Sequence, residues 1–241
     1  MIRLENYEVV GWEHAIRGMR NPMNSWKKSD SEFFIDNVGD DMYERHFRQA
    51  ADIGDNDHNL MMKLAKGGSV HAKYRRMITV YVDITAPLYF FKEFDTYKVG
   101  TVANSCSTMH KIHEKEFTME DFSCEHLLGY DSPYEDTFDL IPNIDDDLQL
   151  ECCSTEFLKM NVGILNFYRE RYLATKDKKY WWQMIQLLPS NYNQKRTVML
   201  NYEVLAGIYE SRRNHKLDEW REFCDWILSL PYSEIILGGA E

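Results

Sequence analysis

The strongest hydrophobic pattern in the chain is the alternation of residues 77–85, which read "MITVYVDIT". One face of this segment consists of four β-branched residues, Ile78, Val80, Val82 and Ile84. A period of two is typical of a strand with one buried face. Pro87 suits the first turn of a helix, so we predict a helix from Pro87 until Gly100. The alternation in "LENYEVVGW", residues 4–12, predicts a second strand.

Apolar residues recur at helical spacing in seven further segments, 13–21, 56–68, 118–130, 155–174, 178–189, 201–213 and 218–230. Thr118 is predicted to cap its helix with Asp121 in the third position. The buried side of the fourth segment is predicted to carry Leu158, Val162, Leu165 and Tyr172. Residues 28–56 combine loop and helix signals, and the acidic residues 131–151 indicate a long loop. The fold class is therefore α+β, a small sheet packed with several helices in a single domain over 1–241.

Composition narrows the classes of partner. The 28 Lys and Arg against 39 Asp and Glu give a net charge of −11, which disfavours nucleic acid and anionic membranes as partners. The longest apolar runs fall far short of the roughly 20 residues that span a bilayer, and no signal-peptide core is present. The five cysteines are odd in number and include an adjacent pair, which favours reduced thiols. We therefore expect a cytoplasmic protein.

A metal site is the first chemical possibility. Five residues of the two types that most often bind zinc lie from position 106 to position 126, namely Cys106, His110, His113, Cys124 and His126. Their spacing does not match a cysteine knuckle, and the acidic run Asp145–Asp147 cannot direct three carboxylates inward from one loop. We expect partly exposed polar residues and a solvated loop here, and no metal.

Anion binding is the second possibility. Arg212, Arg213, His215 and Lys216 form a cationic cluster in an acidic chain, and arginine there binds a phosphate or merely complements the helix dipole. Directly after Gly100, a polar passage carries Asn104, Ser105, Ser107 and Thr108. That passage is either a ligand-binding loop or a turn that satisfies its own backbone.

Taken together, these segments resemble the flavin-dependent thymidylate synthases. "VDITAPLYFF" is similar to the strand and Pro-started helix that precede the family signature, and Asn104 and Ser107 reproduce its Asn-x-x-Ser core. Pro189, Asn201 and Arg212 follow each other at the family's separations of twelve and eleven residues. The resemblance covers roughly residues 60–225 and implies the thymidylate synthase-complementing-protein-like fold, which is homotetrameric.

The resemblance implies reductive methylation of dUMP to dTMP, with methylenetetrahydrofolate as carbon donor and FAD and NADPH as cofactors. It implies catalytic roles for Ser107 and Arg212. The substrate contacts it implies are Ser105, Ser107, Thr108, Lys98 and Arg212. The cofactor contacts it implies are His71, Thr101, Asn104 and Asn201.

Several family arginines are replaced in this chain. Thr96-Tyr97-Lys98 stands where the family has Arg-His-Arg, and Met109 and Ile185 stand where it has single arginines. Ser105 stands where it has a glutamate. Five other cations could take the place of the missing arginines, namely Lys92, Lys98, His110, Arg75 and Arg76. The alternative is therefore a catalytically altered nucleotide- or flavin-binding homologue without synthase activity.

Overall fold

The computed structural model describes residues 2–38, 46–131, 137–139 and 151–238. These residues form two compact units that alternate along the sequence. The helical unit comprises residues 86–91 and the described part of 106–194, and the sheet unit comprises the described parts of 2–85, 92–105 and 195–238. The single domain over 1–241 stays a prediction.

Regular elements follow the predicted α+β class. The strands are β1 (Arg3–Val10), β2 (Glu32–Val38), β3 (His46–Asp52), β4 (Thr79–Pro87), β5 (Val102–Ser105), β6 (Phe138–Asp139), β7 (Glu151–Cys152) and β8 (Asn193–Asn201). The helices are α1 (Trp12–Arg20), α2 (Asp55–Lys66), α3 (Leu88–Phe94), α4 (Ser154–Thr175), α5 (Lys178–Leu187), α6 (Tyr202–Arg212), α7 (Asp218–Ser229) and α8 (Glu234–Leu237).

The main sheet has the strand order β1-β4-β8-β5, with β1 antiparallel to β4 and β5 antiparallel to β8. The predicted strand over 77–85 is confirmed, and its predicted inner face is at most 1% exposed at every position. Tyr81, on the other face, is 44% exposed. The alternation of side chains across the pleat therefore places the core on one face of β4.

Three sequence predictions are wrong. Residues 28–56 hold the antiparallel pair β2 and β3 after a short 3-10 turn, where loop and helix were predicted. The helix after Pro87 ends at Phe94, well before Gly100. Residues 118–130 form only one 3-10 turn at Met119–Asp121, although its predicted capping box of Thr118 and Asp121 is present.

The short turn at Met119–Asp121 has a tertiary cause. Ser123 donates its backbone N–H to the Asn191 carbonyl at 2.8 Å, and Asn191 Nδ2 donates back to the Ser123 carbonyl at 2.9 Å. Phe122 pairs with Tyr192 in an isolated β-bridge. The backbone groups that a helix would use are therefore bonded to residues 191–192.

The helical unit is built on α4 and α5, which pack against each other. Leu158, Val162 and Leu165 of α4 are buried as predicted, and Tyr172 is partly buried against the same cluster. Most of the predicted loop over 131–151, including Asp145–Asp147, lies outside the described residues. In its described part, β6 at 138–139 pairs with β7 at 151–152.

Candidate functional site

Asn201 ends β8 and caps α6, the helix that the sequence predicts over 201–213. Its Oδ1 accepts hydrogen bonds from the backbone N–H groups of Glu203 and Val204, each at 3.1 Å. This is the N-cap arrangement, in which a side chain satisfies donors that have no partner inside the helix. Because Oδ1 is engaged by the cap, Asn201 has only its Nδ2 to offer to a ligand.

Arg212, at the other end of α6, lies in a polar and aromatic setting. Its Nη1 donates to Glu93 Oε2 at 2.6 Å, and its Nε donates to the Tyr97 hydroxyl at 2.9 Å. The guanidinium also lies over the Trp220 ring, 4.9 Å from the centroid. Arg212 is therefore fixed in position and paired with a carboxylate, so it does more than complement the helix dipole.

A cavity of about 280 Å³ lies beside this segment of the sheet unit. It is lined by Phe94, Asp95, Tyr97, Lys98, Thr101 and Ala103. Thr101 Oγ1 is buried and has no hydrogen-bond partner among the described residues, a state that a buried hydroxyl rarely keeps unless water or a ligand completes it. The cavity is slightly smaller than the roughly 300–1,000 Å³ typical of whole ligand pockets.

Asn104 and Ser105 lie on β5, one of the two edge strands of the main sheet in the described part of the chain. Asn104 is opposite Thr197 and Ser105 is opposite Arg196, and both predicted residues are exposed. An edge strand leaves one row of backbone N–H and C=O groups without a neighbouring strand. Both residues are therefore accessible beside the cavity-lining segment.

The other predicted site residues are distributed differently. His71 is exposed, and its backbone N–H donates to the Gly68 carbonyl at the end of α2. Ser107 and Thr108 belong to the helical unit. Ser107 Oγ accepts hydrogen bonds from the N–H groups of Met109 and His110, at 3.2 and 2.9 Å, so part of the passage does satisfy its own backbone.

The suggested substitute cations differ in their surroundings. Arg75 is buried, and its Nη1 lies 3.7 Å from Glu203 Oε2. Lys92, Lys98 and Arg76 are exposed. Arg196, which sequence reasoning missed, lies 2.6 Å from Asp95.

Glu93 and Trp220 were also missed as part of this site. Trp220 is fully buried and donates its Nε1–H to Glu93 Oε2 at 3.1 Å. The contact between Glu93 and Arg212 joins positions 119 residues apart, and no local pattern signals such a distance.

Metal binding and membrane insertion are two further possibilities for the described ranges. No group of three or more His, Cys, Asp or Glu side chains there is placed to hold a metal ion. No helix in the same ranges is long and apolar enough to cross a membrane.

Comparison with known proteins points to one fold. No protein-family model and no curated protein matches the chain. Two structures of thymidylate synthase X (ThyX) from Helicobacter pylori, both with FAD and dUMP, superpose with TM-scores of 0.60 and 0.59. Each is 13% identical, and the match covers 99% of this chain and 97% of theirs.

A second kind of enzyme is also similar. The UMP/dUMP methylase PolB from Streptomyces cacaoi, bound with 5-Br dUMP, superposes with a TM-score of 0.50 at 11% identity, over 95% of this chain and 88% of its own. The resemblance predicted from the sequence is confirmed at the level of architecture. The chain has the fold of the flavin-dependent thymidylate synthases.

Proposed function

We propose that this protein converts dUMP to dTMP in a flavin-dependent reductive methylation, with methylenetetrahydrofolate as carbon donor and NADPH as reductant. One observation carries the proposal: both ends of α6 contact the segment 93–101. Arg212 bonds to Glu93 and Tyr97 at one end, and Gly100 lies against Asn201 at the other. Lys98 and Thr101 line a cavity within the same segment.

Two residues that line this cavity, together with Asn201 beside Gly100, suit one part of FAD. Thr101 Oγ1 and Asn201 Nδ2 are hydrogen-bonding groups suited to flavin or ribose oxygens, and Lys98 is a cation suited to a phosphate. When bound, the flavin would supply the hydride that reduces the transferred one-carbon unit. The protein's task is then to hold flavin, pyrimidine and folate in reacting order, since orientation supplies much of the acceleration in such reactions.

Arg212 is proposed to contact the nucleotide, because its fixed guanidinium is suited to bidentate recognition of a phosphate or a pyrimidine carbonyl. Asn104 and Ser105, on the exposed edge strand, are proposed as further contacts to cofactor and substrate. The roles of His71, Ser107 and Thr108 stay predictions, as do the homotetramer and the cytoplasmic location.

The direct test is to supply the purified protein with FAD, NADPH, dUMP and methylenetetrahydrofolate and to measure dTMP by mass spectrometry. We expect dTMP only when all four are present. A thymidine-requiring bacterial strain without its own synthase should then grow without thymidine when it carries this gene. A protein that stays colourless, and gains no flavin absorption after addition of FAD, would contradict the proposal.

A second candidate function is a nucleotide- or flavin-binding homologue that has lost the reaction. The observation in its favour is that Arg196 and Arg212 are both paired with carboxylates, Asp95 and Glu93. Such a protein would gain flavin absorption with FAD but form no dTMP, and the thymidine-requiring strain would stay dependent on thymidine.

A further inference from the structure

Two N–H donors and the ring of a histidine converge on one oxygen atom of Glu93. Its Oε2 lies 2.6 Å from Arg212 Nη1, 3.1 Å from Trp220 Nε1 and 3.4 Å from His215 Nε2. Several N–H donors directed at a single point form the arrangement by which proteins bind oxyanions. Here the oxyanion at that point is a side chain of the protein itself.

The donors are held without help from Glu93. Arg212 Nε donates to the Tyr97 hydroxyl at 2.9 Å, and its guanidinium lies over the rings of Trp220 and Tyr97 at 4.9 and 5.8 Å. Trp220 is fully buried and therefore fixed. The Glu93 side chain is 37% exposed, so its carboxylate has access to solvent if it leaves this position.

We infer that Glu93 is a resident counter-ion that an anionic group of the ligand must displace in order to reach Arg212. The ligand anion and the carboxylate exclude each other, because two negative charges at one guanidinium repel and only one fits between Arg212 and Trp220. The exchange moves Glu93 into water and leaves the donors in place. Glu93 is thus a residue that sets affinity and selects ligands able to compete with a carboxylate.

This inference rests on the proposed function only for the identity of the ligand, dUMP. Glu93→Gln keeps the size of the side chain and removes the charge that competes for Arg212. In this variant Arg212 is open to the ligand in every molecule, whereas in the unchanged protein it is open in only a fraction of them. Calorimetry should therefore show that the variant binds dUMP on the order of tenfold more tightly. In an Arg212→Gln background, the same Glu93→Gln change should have no effect on dUMP affinity.

Asp95→Asn is the matched control. Asp95 lies two residues along the chain, pairs with Arg196 at 2.6 Å, and loses the same charge in the variant. A general effect of net charge would tighten dUMP binding equally in Asp95→Asn and Glu93→Gln, and that result would overturn the inference.

A second readout does not depend on the proposed function. Phenylglyoxal modifies accessible arginines, and mass spectrometry locates the product. Arg212 should be modified faster in Glu93→Gln than in the unchanged protein, and inorganic phosphate should slow its modification in the variant. If both hold but dUMP binds to neither protein, the counter-ion role stands and the proposed substrate is wrong. Equal modification rates in the two proteins would overturn the counter-ion role.

Discussion

The side-chain amide of Asn201 lies against Gly100, at a point where no larger residue fits. A Cβ atom at Gly100 would approach Asn201 Nδ2 to 2.9 Å and Val204 Cγ2 to 3.2 Å. Gly100 also has a φ of +79°, a conformation that residues with a side chain rarely adopt. The polar passage and the start of α6 therefore meet through a contact that requires glycine.

Gly100→Ala should lower the free energy of unfolding by about 1–3 kcal/mol, from strain in the left-handed conformation and from the close approach to Asn201. Urea unfolding monitored by circular dichroism measures this loss. Gly207→Ala is the control, since a Cβ there meets nothing within 4 Å and alanine favours the α6 helix by up to about 1 kcal/mol. Equal effects of the two substitutions would contradict the contact.

Two substitutions at Asn201 should distinguish its effect on stability from its effect on cofactor binding. Asn201→Ala removes the cap of α6 and should cost about 1 kcal/mol of unfolding free energy. Asn201→Asp keeps an oxygen acceptor for the cap but lacks the Nδ2 donor, so it should unfold like the unchanged protein. If Nδ2 contacts the flavin as proposed, FAD titration should show weaker binding to Asn201→Asp. Unchanged FAD affinity would remove Asn201 from the cofactor site.

The elements that the sequence predicted correctly carry their signals locally. The helical pattern of α6, the alternation of β4 and the stripe of α4 each lie within one segment. Strand β8 was not predicted, because Lys195 and Arg196 make its sequence look solvated. Asp83 and Asp95, from distant parts of the chain, neutralise these two cations in the folded state.

In the candidate site, too, the features with a local sequence signal were predicted and those set by tertiary contacts were not. The positions of Asn201 and Arg212 at the two ends of α6 follow from helical periodicity and were predicted. The ion pair between Arg212 and the Glu93 carboxylate was not predicted, because tertiary packing with Trp220 brings Glu93 to this position. Likewise, residues 118–130 carry a sound capping signal, but the hydrogen bonds between Ser123 and Asn191 end the helix after one turn.

A buried ion pair stabilises the sheet unit. Asp57 is fully buried and accepts hydrogen bonds from Arg20 Nε at 2.5 Å and from Ser29 and Ser31 Oγ at 2.7 Å each. Burial alone would raise the pKa of Asp57, but the hydrogen bonds from Ser29, Ser31 and Arg20 outweigh it and lower that pKa.

Asp57→Asn should therefore cost about 3–5 kcal/mol of unfolding free energy, because it leaves Arg20 buried without its charge partner. Asp55→Asn changes an exposed carboxylate in the same first turn of α2 and should alter stability by less than about 0.5 kcal/mol. Denaturant unfolding compares the two variants, and a small effect at Asp57 would show that Arg20 finds other partners.

Asp83 should make stability depend on pH. The hydrogen bond from Thr197, followed by those from Asn6 and Lys195, lowers the pKa of Asp83 from 3.8 to about 2. The stabilisation is complete above the unfolded pKa near 4 and is lost as the pH falls towards 2, because only the folded state favours the carboxylate.

Thr197→Val should consequently destabilise the protein by about 1–2 kcal/mol at pH 6, through loss of a hydrogen bond to a charged group. The difference from the unchanged protein should shrink as the pH is lowered from 6 to 3, and urea midpoints across this range measure it. Thr79→Val in β4 is the control and should show a difference that does not vary with pH. A constant deficit for Thr197→Val would contradict the assignment.

Thr101 provides the most direct test of the cavity. Its Oγ1 is buried without a hydrogen-bond partner in the part of the chain that the structure describes, and a valine has the same shape without the hydroxyl. Thr101→Val should therefore raise the free energy of unfolding of the ligand-free protein, by about 1 kcal/mol, because an unsatisfied buried polar group disappears. If FAD supplies the missing partner, the same variant should bind FAD more weakly in an absorption titration. If the variant gains stability and keeps its FAD affinity, the flavin binds elsewhere. If the variant loses stability, the hydroxyl already has a hydrogen-bond partner, such as a bound water.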